Sequence, residues 1–189
     1  MSTRFLLKNV RLAFGQGLWI KTKPPKTPPE TKEKFRCQFL LTRVHPQLVA
    51  LRKVIDTEGE ALFGTKWKVV KAAAEAQGKI CLRDGDLKAE YDGFEGNWSV
   101  SANSFTRPTV FGPDGEPASE DSGIVYSGCY VDAIIGVKAY NNVSKGITAE
   151  LAGVRFFADG AAFSGGRPAD ADEFGDSIAA PAAEDELAQ

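Results

Sequence analysis

The chain has 189 residues, 43% of them hydrophobic, and a formal net charge of −2, enough apolar content for one good core with chain to spare. Cys37, Cys81 and Cys129 are odd in number, far apart and set in or near apolar runs, so they read as buried thiols in a reducing compartment; with one histidine and no Cys-x-x-Cys, a zinc site has almost no ligands, and no cofactor is predicted. No stretch approaches the roughly 20 apolar residues of a membrane span, and Lys8 breaks the apolar run of Phe5, Leu6 and Leu7 that a signal peptide would need, so a soluble intracellular protein with no membrane partner is predicted.

Residues 4–14 are mostly apolar, interrupted by Lys8 and Arg11, and predict a strand. They open a basic segment, for residues 1–53 hold twelve bases against Glu30 and Glu33, a formal +10. Gly15 and Gly17 look like the start of a dinucleotide fingerprint, but Ile20 stands where the third glycine belongs and no helix follows. Residues 21–34, with four prolines among lysines, predict an extended exposed loop. Trp19 at its base has two readings: a plug for the end of a barrel, or a ring that stacks a base.

Residues 34–43 alternate, with Phe35, Cys37, Phe39 and Leu41 on one face and Lys34, Arg36, Gln38 and Thr42 on the other. Pro46 suits the first turn of a helix whose apolar stripe is Leu48, Leu51, Ile55 and Leu62. Gly64 interrupts it, and a second helix from Lys66 ends near Gly78, with Trp67 and Val70 buried. Asp84, Asp86, Glu90, Asp92 and Glu95 follow. Such carboxylates suit magnesium chemistry, but their spacing fits no calcium loop, and Gly85 and Gly93 mark ordinary turns. Residues 97–105 alternate again, Trp98, Val100 and Ala102 opposite Ser99, Ser101, Asn103 and Phe105.

The strand predicted over 125–138 has two unlike faces. Val125, Ser127, Cys129, Val131, Ala133, Ile135, Val137 and, just beyond, Ala139 suit a core. Tyr126, Gly128, Tyr130, Asp132, Ile134, Gly136, Lys138 and, just beyond, Tyr140 form the other face. Rings and a cation there suit nucleobases beside a phosphate backbone; alternatively a helix or loop covers the tyrosines as a second layer of core. A hairpin turn over 141–146 and a return strand over 147–157 follow. Beyond residue 159 the chain is Gly, Ala, Ser, Pro and acids, too little to bury, and disorder is predicted. Residues 167–189 hold one base against seven acids, a formal −6, so the chain reads as a polyanion-binding body with an acidic tail.

Five strands with helices inserted between the second and third predict a mainly β fold: an OB-fold-like Greek-key barrel over residues 1–158 and a flexible acidic tail over 159–189. The usual OB helix lies between strands three and four, so matching that pattern calls for a further strand at 18–23.

Leu82-Arg83-Asp84-Gly85-Asp86, Ser104-Phe105-Thr106-Arg107-Pro108, Tyr126-Ser127-Gly128-Cys129-Tyr130-Val131, and Ala139-Tyr140-Asn141-Asn142 with Lys145-Gly146-Ile147 together resemble the tailed-phage single-stranded-DNA-binding proteins, over roughly residues 4–174. The resemblance implies an OB-fold related to the podovirus replication single-strand binders, an acidic carboxyl-terminal tail, and work in the cytoplasm of an infected bacterial host. The chain departs at its end: the podovirus proteins close on an aromatic residue, this one on Leu187-Ala188-Gln189, with Phe174 well upstream.

The predicted function is sequence-independent binding of single-stranded DNA in phage replication or recombination, without a catalytic step, with replication or recombination proteins met through the tail. Tyr126, Tyr130, Tyr140, Trp19 and Trp98 are the candidates for stacking bases, and Lys21, Lys23, Lys34, Arg36, Arg107 and Lys138 for phosphate. Two other readings stand beside it: a magnesium-dependent nuclease using Asp84, Asp86, Glu90, Asp92 and Glu95, and a protein–protein adaptor whose tyrosine face binds a partner chain.

Overall fold

The computed structural model describes residues 2–164. Its strands are β1 (Thr3–Ala13), β2 (Phe35–Thr42), β3 (Leu82–Asp84), β4 (Asn97–Ser104), β5 (Thr109–Phe111), β6 (Tyr130–Asn141) and β7 (Lys145–Ala158), with helices α1 (Leu48–Phe63) and α2 (Trp67–Ala76) between β2 and β3. Hydrogen bonding orders the sheet β3-β4-β2-β1-β6-β7-β5. A parallel pairing of β4 with β7, Ala102 opposite Ala149 and Asn103 opposite Glu150, rolls it shut. The closed ring is β1-β2-β4-β7-β6, a five-stranded barrel of OB type, with β3 and β5 added at its margins.

The expected sixth strand is not there. Residues 15–18 form a 3₁₀ turn, and beyond it only Thr22 bridges to Lys34. Five strands suffice because β7, 14 residues long, pairs with β6 on one side and reaches both β4 and β5 on the other.

Alternation along β6 sends Val131, Ala133, Ile135, Val137 and Ala139 inward, as expected, to meet Leu7, Val10, Leu12, Phe39, Leu41 and Val100 in one core. Leu7 and Val10 are three apart yet both buried, because Asn9, at φ 52, marks an irregularity where the β1 register slips. The buried Asp132 stitches this site: it accepts from the Asn9 backbone N–H at 3.0 Å and pairs with Arg155 at 2.7 Å.

Helix α1 buries Leu48, Leu51 and Ile55 and packs on β6. Leu62, expected in the same stripe, is 48% exposed. The inward place goes to Gly59, where a Cβ would stand 2.2 Å from the buried Trp67 ring. Pro46 precedes the helix instead of entering its first turn. All three thiols are free and buried, and burial pushes Cys81 up to about 12. Among the described residues, no helix is long and apolar enough to cross a membrane.

β6 begins five residues later than the alternation suggests. Gly128, at φ +105, turns the chain before Tyr130, so Tyr126 lies in a turn and not on the strand. β3 and β5 are three residues each, too short for a periodic signal.

Candidate nucleic-acid interface

The outward residues of β2, β3 and β4 lie side by side on one curved face. Arg36 stands opposite Asn103, and Gln38 opposite Ser101; Arg83 of β3 stands opposite Ser99. Two recesses of about 470 and 430 Å³ adjoin there and share Ser101 as a common wall. The first is lined by Arg36, Gln38, Lys88, Phe14 and Tyr91, with Lys23 from the proline-rich loop. Lys34, Lys79, Arg83, Asn103 and Tyr140 line the second. Together they make a groove across the second and third strands of the barrel ring. In OB-folds this face and its flanking loops take oligonucleotides.

The groove is crowded with like charge. Burial, then the neighbouring Arg83, disfavours the charged form of Arg36. Lys88 is held below its ordinary value by burial, then by Arg83 and Arg36, with Glu90 acting in the opposite sense. Among the described residues none of the three is in an ion pair; the four that form use Arg43, Lys71 and Arg155 as bases. Cations that repel one another across a concave polar surface are relieved by an anion between them, and phosphate oxygens serve that role.

Exposed rings flank the cations. Phe14 and Tyr91, each 41% exposed, meet edge to face with centroids 5.2 Å apart. Phe14 holds a left-handed backbone, φ 56, costly for an aromatic residue. At the other end, Phe105 is 54% exposed with the Lys34 ammonium 4.6 Å from its centroid, and Lys34 also donates to Asn103 Oδ1 at 3.1 Å.

The tyrosine face of β6 has a different fate. Residues 159–164, expected to belong to a disordered tail, cross it as a strap. Tyr126 donates its hydroxyl to Asp159 at 2.8 Å and accepts from the Gly160 N–H at 3.2 Å; burial and the Asp159 carboxylate hold that hydroxyl above its usual range. Gly160 lies over the Tyr130 ring, where a Cβ would come within 3.0 Å. Arg11 donates to the Gly128 and Ala161 carbonyls at 3.0 and 2.7 Å, and its guanidinium lies 4.3 Å from the Phe163 centroid. Phe163 packs on the small cluster of Ala13, Leu40 and Phe94. Gly128 admits the strap because it has no Cβ; one would stand 2.2 Å from the Ala161 carbonyl oxygen.

The predicted site residues therefore divide. Lys23, Lys34, Arg36 and Tyr140 line the groove. Lys138 flanks it, on the same side of the hairpin as Thr148. Tyr126 and Tyr130 lie under the strap. Trp19 packs on the core, with Arg107 5.7 Å from its ring, which joins the plug reading to a cation. Lys21 sits 5.5 Å over Phe35. Trp98 lines a separate recess under α1 and α2. Missed as candidates were Phe14, Lys79, Arg83, Lys88, Tyr91, Ser101, Asn103 and Phe105. Ser101, Asn103 and Phe105 were legible as the polar side of a strand; Arg83 lies on the three-residue β3 and the others in turns or connections, where no periodicity marks them.

Three of the five grouped carboxylates do structural work. Asp84 caps the 3₁₀ turn over residues 85–88 through the Asp86 N–H and pairs with Arg43 at 2.6 Å. Asp86 takes Arg43 at 3.0 Å and the Gly96 N–H at 2.7 Å. Asp92 anchors the strap through Ser164 N–H and Oγ. Among the described residues no three of His, Cys, Asp and Glu gather into a metal-holding group.

Comparison with known proteins places this architecture. "Putative protein p50" of Acyrthosiphon pisum secondary endosymbiont phage 1 is 37% identical over 176 residues, 90% of this chain and 91% of that one. The fold is similar to that of the single-stranded DNA-binding protein from bacteriophage Enc34 solved in complex with ssDNA, with a TM-score of 0.68 at 22% identity, covering 84% of this chain and 88% of that one. It is also similar to gp2.5, a single-stranded DNA binding protein encoded by bacteriophage T7, with a TM-score of 0.53 at 12% identity over 94% and 96% of the two chains. The family described as the ssDNA-binding protein of Enterobacter phage Enc34 matches residues 3–187, and the chain belongs to that family.

Proposed function

We propose that the protein binds single-stranded DNA without regard to sequence, as a non-enzymatic component of phage replication or recombination in the host cytoplasm. One observation carries this reading beyond family membership: among the described residues Arg36, Arg83 and Lys88 crowd one concave face outside any ion pair, with Glu90 as the acid near Lys88. A strand laid along the groove brings phosphates to these bases and to Lys34, Lys79 and Lys23. Its bases meet Phe14 and Tyr91 at one end and Tyr140 and Phe105 at the other. Ser101 and Asn103 between them offer hydrogen bonds to backbone or base without demanding one base edge. Backbone neutralisation and ring stacking carry little sequence information, which supports indifference to base order. The employment of Asp84, Asp86 and Asp92 in caps, an ion pair and the strap supports a binder over a nuclease. The acidic segment expected to recruit partners, with Phe174, lies outside the described residues, and partner recruitment remains part of the proposal.

The test is a titration of oligo-dT lengths and mixed sequences, against duplex, at several salt concentrations. The reading requires tight single-strand binding, little dependence on base order, and log K falling with log salt at about −0.7 per phosphate contact. A flat salt response overturns it.

A further inference from the structure

Next to the groove, where α1 and α2 meet β3 and β4, lies a second recess of about 430 Å³, within the roughly 300–1,000 Å³ of small-ligand sites. Its floor is apolar, with Ile55, Ile80, Leu82, Leu87 and the half-buried Trp98 ring, while charged groups of both signs, Glu75 and Asp84 among them, stand in its walls. Leu87 remains 75% exposed at the rim, an apolar wall that water covers unfavourably. Gly78 and Arg83 line this recess and the groove alike, so Arg83 stands in the doorway between them.

Two arginines lie near Trp98, Arg43 at 4.8 Å and Arg52 at 4.4 Å from its ring. They differ in charge balance. Arg43 is neutralised by Asp84 and Asp86, whereas Arg52, which lines the recess, has no ion pair among the described residues. Lys71 on the opposite wall is satisfied by Asp56 at 2.7 Å. The recess thus pairs an apolar, aromatic floor with a cation outside any ion pair at Arg52, which Asp56 feels at longer range, and another at its doorway.

We infer that this recess is a nucleobase pocket. Resting on the reading of the groove as the DNA track, it takes one base of the bound strand, turned inward against Leu87 and Trp98. The adjoining phosphate lies on Arg83, and Arg52 closes over the sugar-phosphate from the helical side. The inserted helices then become part of the binding surface, and the minimal ligand of the pocket is a single nucleoside monophosphate.

The test compares Ala76→Phe, which fills the recess from the α2 side without touching the groove, with Trp98→Leu and with Arg36→Glu as a groove control. Binding of oligo-dT is read by anisotropy, and a 2-aminopurine oligonucleotide reports base environment by fluorescence. Ala76→Phe and Trp98→Leu are expected to weaken oligo-dT roughly five- to a hundredfold, the loss of one stacked base, and to restore 2-aminopurine fluorescence towards that of free DNA. Trp98→Leu risks the fold, so Ala76→Phe with a wild-type melting curve decides. If that variant binds both oligonucleotides as wild type does while Arg36→Glu weakens them, the pocket is unused and the inference falls. Should Arg36→Glu also leave binding intact, the groove reading fails instead.

Discussion

The outer surface of the barrel presents two candidate faces that the chain treats in opposite ways. At the start of β6 and in the turn before it, Tyr130 and Tyr126 have the ring chemistry for stacking bases, yet residues 159–164 lie across them, held by Tyr126, Arg11 and Asp92. On β2–β4 the strands themselves offer serine, asparagine, glutamine and arginine, and the face stays open. Ring content is therefore a poor guide to a binding face, because rings serve intramolecular packing equally well. Half-buried cations outside any ion pair are what single out the other face as the candidate, since a folded chain has little reason to crowd them without a partner.

The sharpest test of this contrast reverses charge in the groove. Arg36→Glu with Arg83→Glu removes two charged hydrogen-bond donors and adds repulsion, for an expected loss of about 3 kcal/mol or more, roughly a hundredfold in Kd. The melting temperature should fall only slightly, as neither residue has an ion pair to lose and Arg83 gives up one hydrogen bond, to the Ile80 carbonyl. Binding within a fewfold of wild type would move the DNA off this face.

The covered face is broken at its hinge. Gly128→Ala meets both a φ of +105 and the Ala161 carbonyl, so it should cost about 1–3 kcal/mol of stability by forcing the strap away. Oligo-dT affinity of the folded fraction should be unchanged. A parallel loss of affinity would mean that the strap shapes the groove.

A matched pair of tyrosines gives the next effect in size. Tyr140→Ala should weaken DNA binding by about 1 kcal/mol, the low end for a stacked base, with little change in melting temperature. Tyr130→Ala should do the reverse, lowering the melting temperature while the folded protein binds normally. Exchange of the two phenotypes, read by anisotropy and thermal melts, would reverse the assignment of the faces.

The smallest effect is in pH. Lys88 sits below its ordinary 10.5 because burial, Arg83 and Arg36 disfavour its charge. A nearby phosphate favours that charge, so binding takes up a proton once free Lys88 has begun to lose its own. Affinity should therefore decline as pH rises through the lowered value, while Lys88→Arg, which stays charged, should remain level there. Identical pH profiles would place Lys88 outside the contact.

Much of the fold was legible in the sequence. Alternation at 34–43 and 97–105 located β2 and β4 within a residue or two, because each strand buries one face and wets the other, a period-2 signal that needs no knowledge of partners. Arg36 and Tyr140 were legible for the same local reason, and Lys23 and Lys34 from the charge count of the basic amino-terminal segment. Tertiary structure alone decided three things. Closure with five strands depends on β7 reaching β4, a contact between Ala102 and Ala149 that no local pattern encodes. Arg83 and Lys88 enter the site because the short strand β3 and the 3₁₀ turn after it carry them beside Arg36 from about fifty residues away. The tyrosine face is covered because Gly128 and Gly93 leave room for a strap whose own composition, read by itself, has too few apolar residues to order; Phe163 gains its burial only where Ala13, Leu40 and Phe94 have already been assembled.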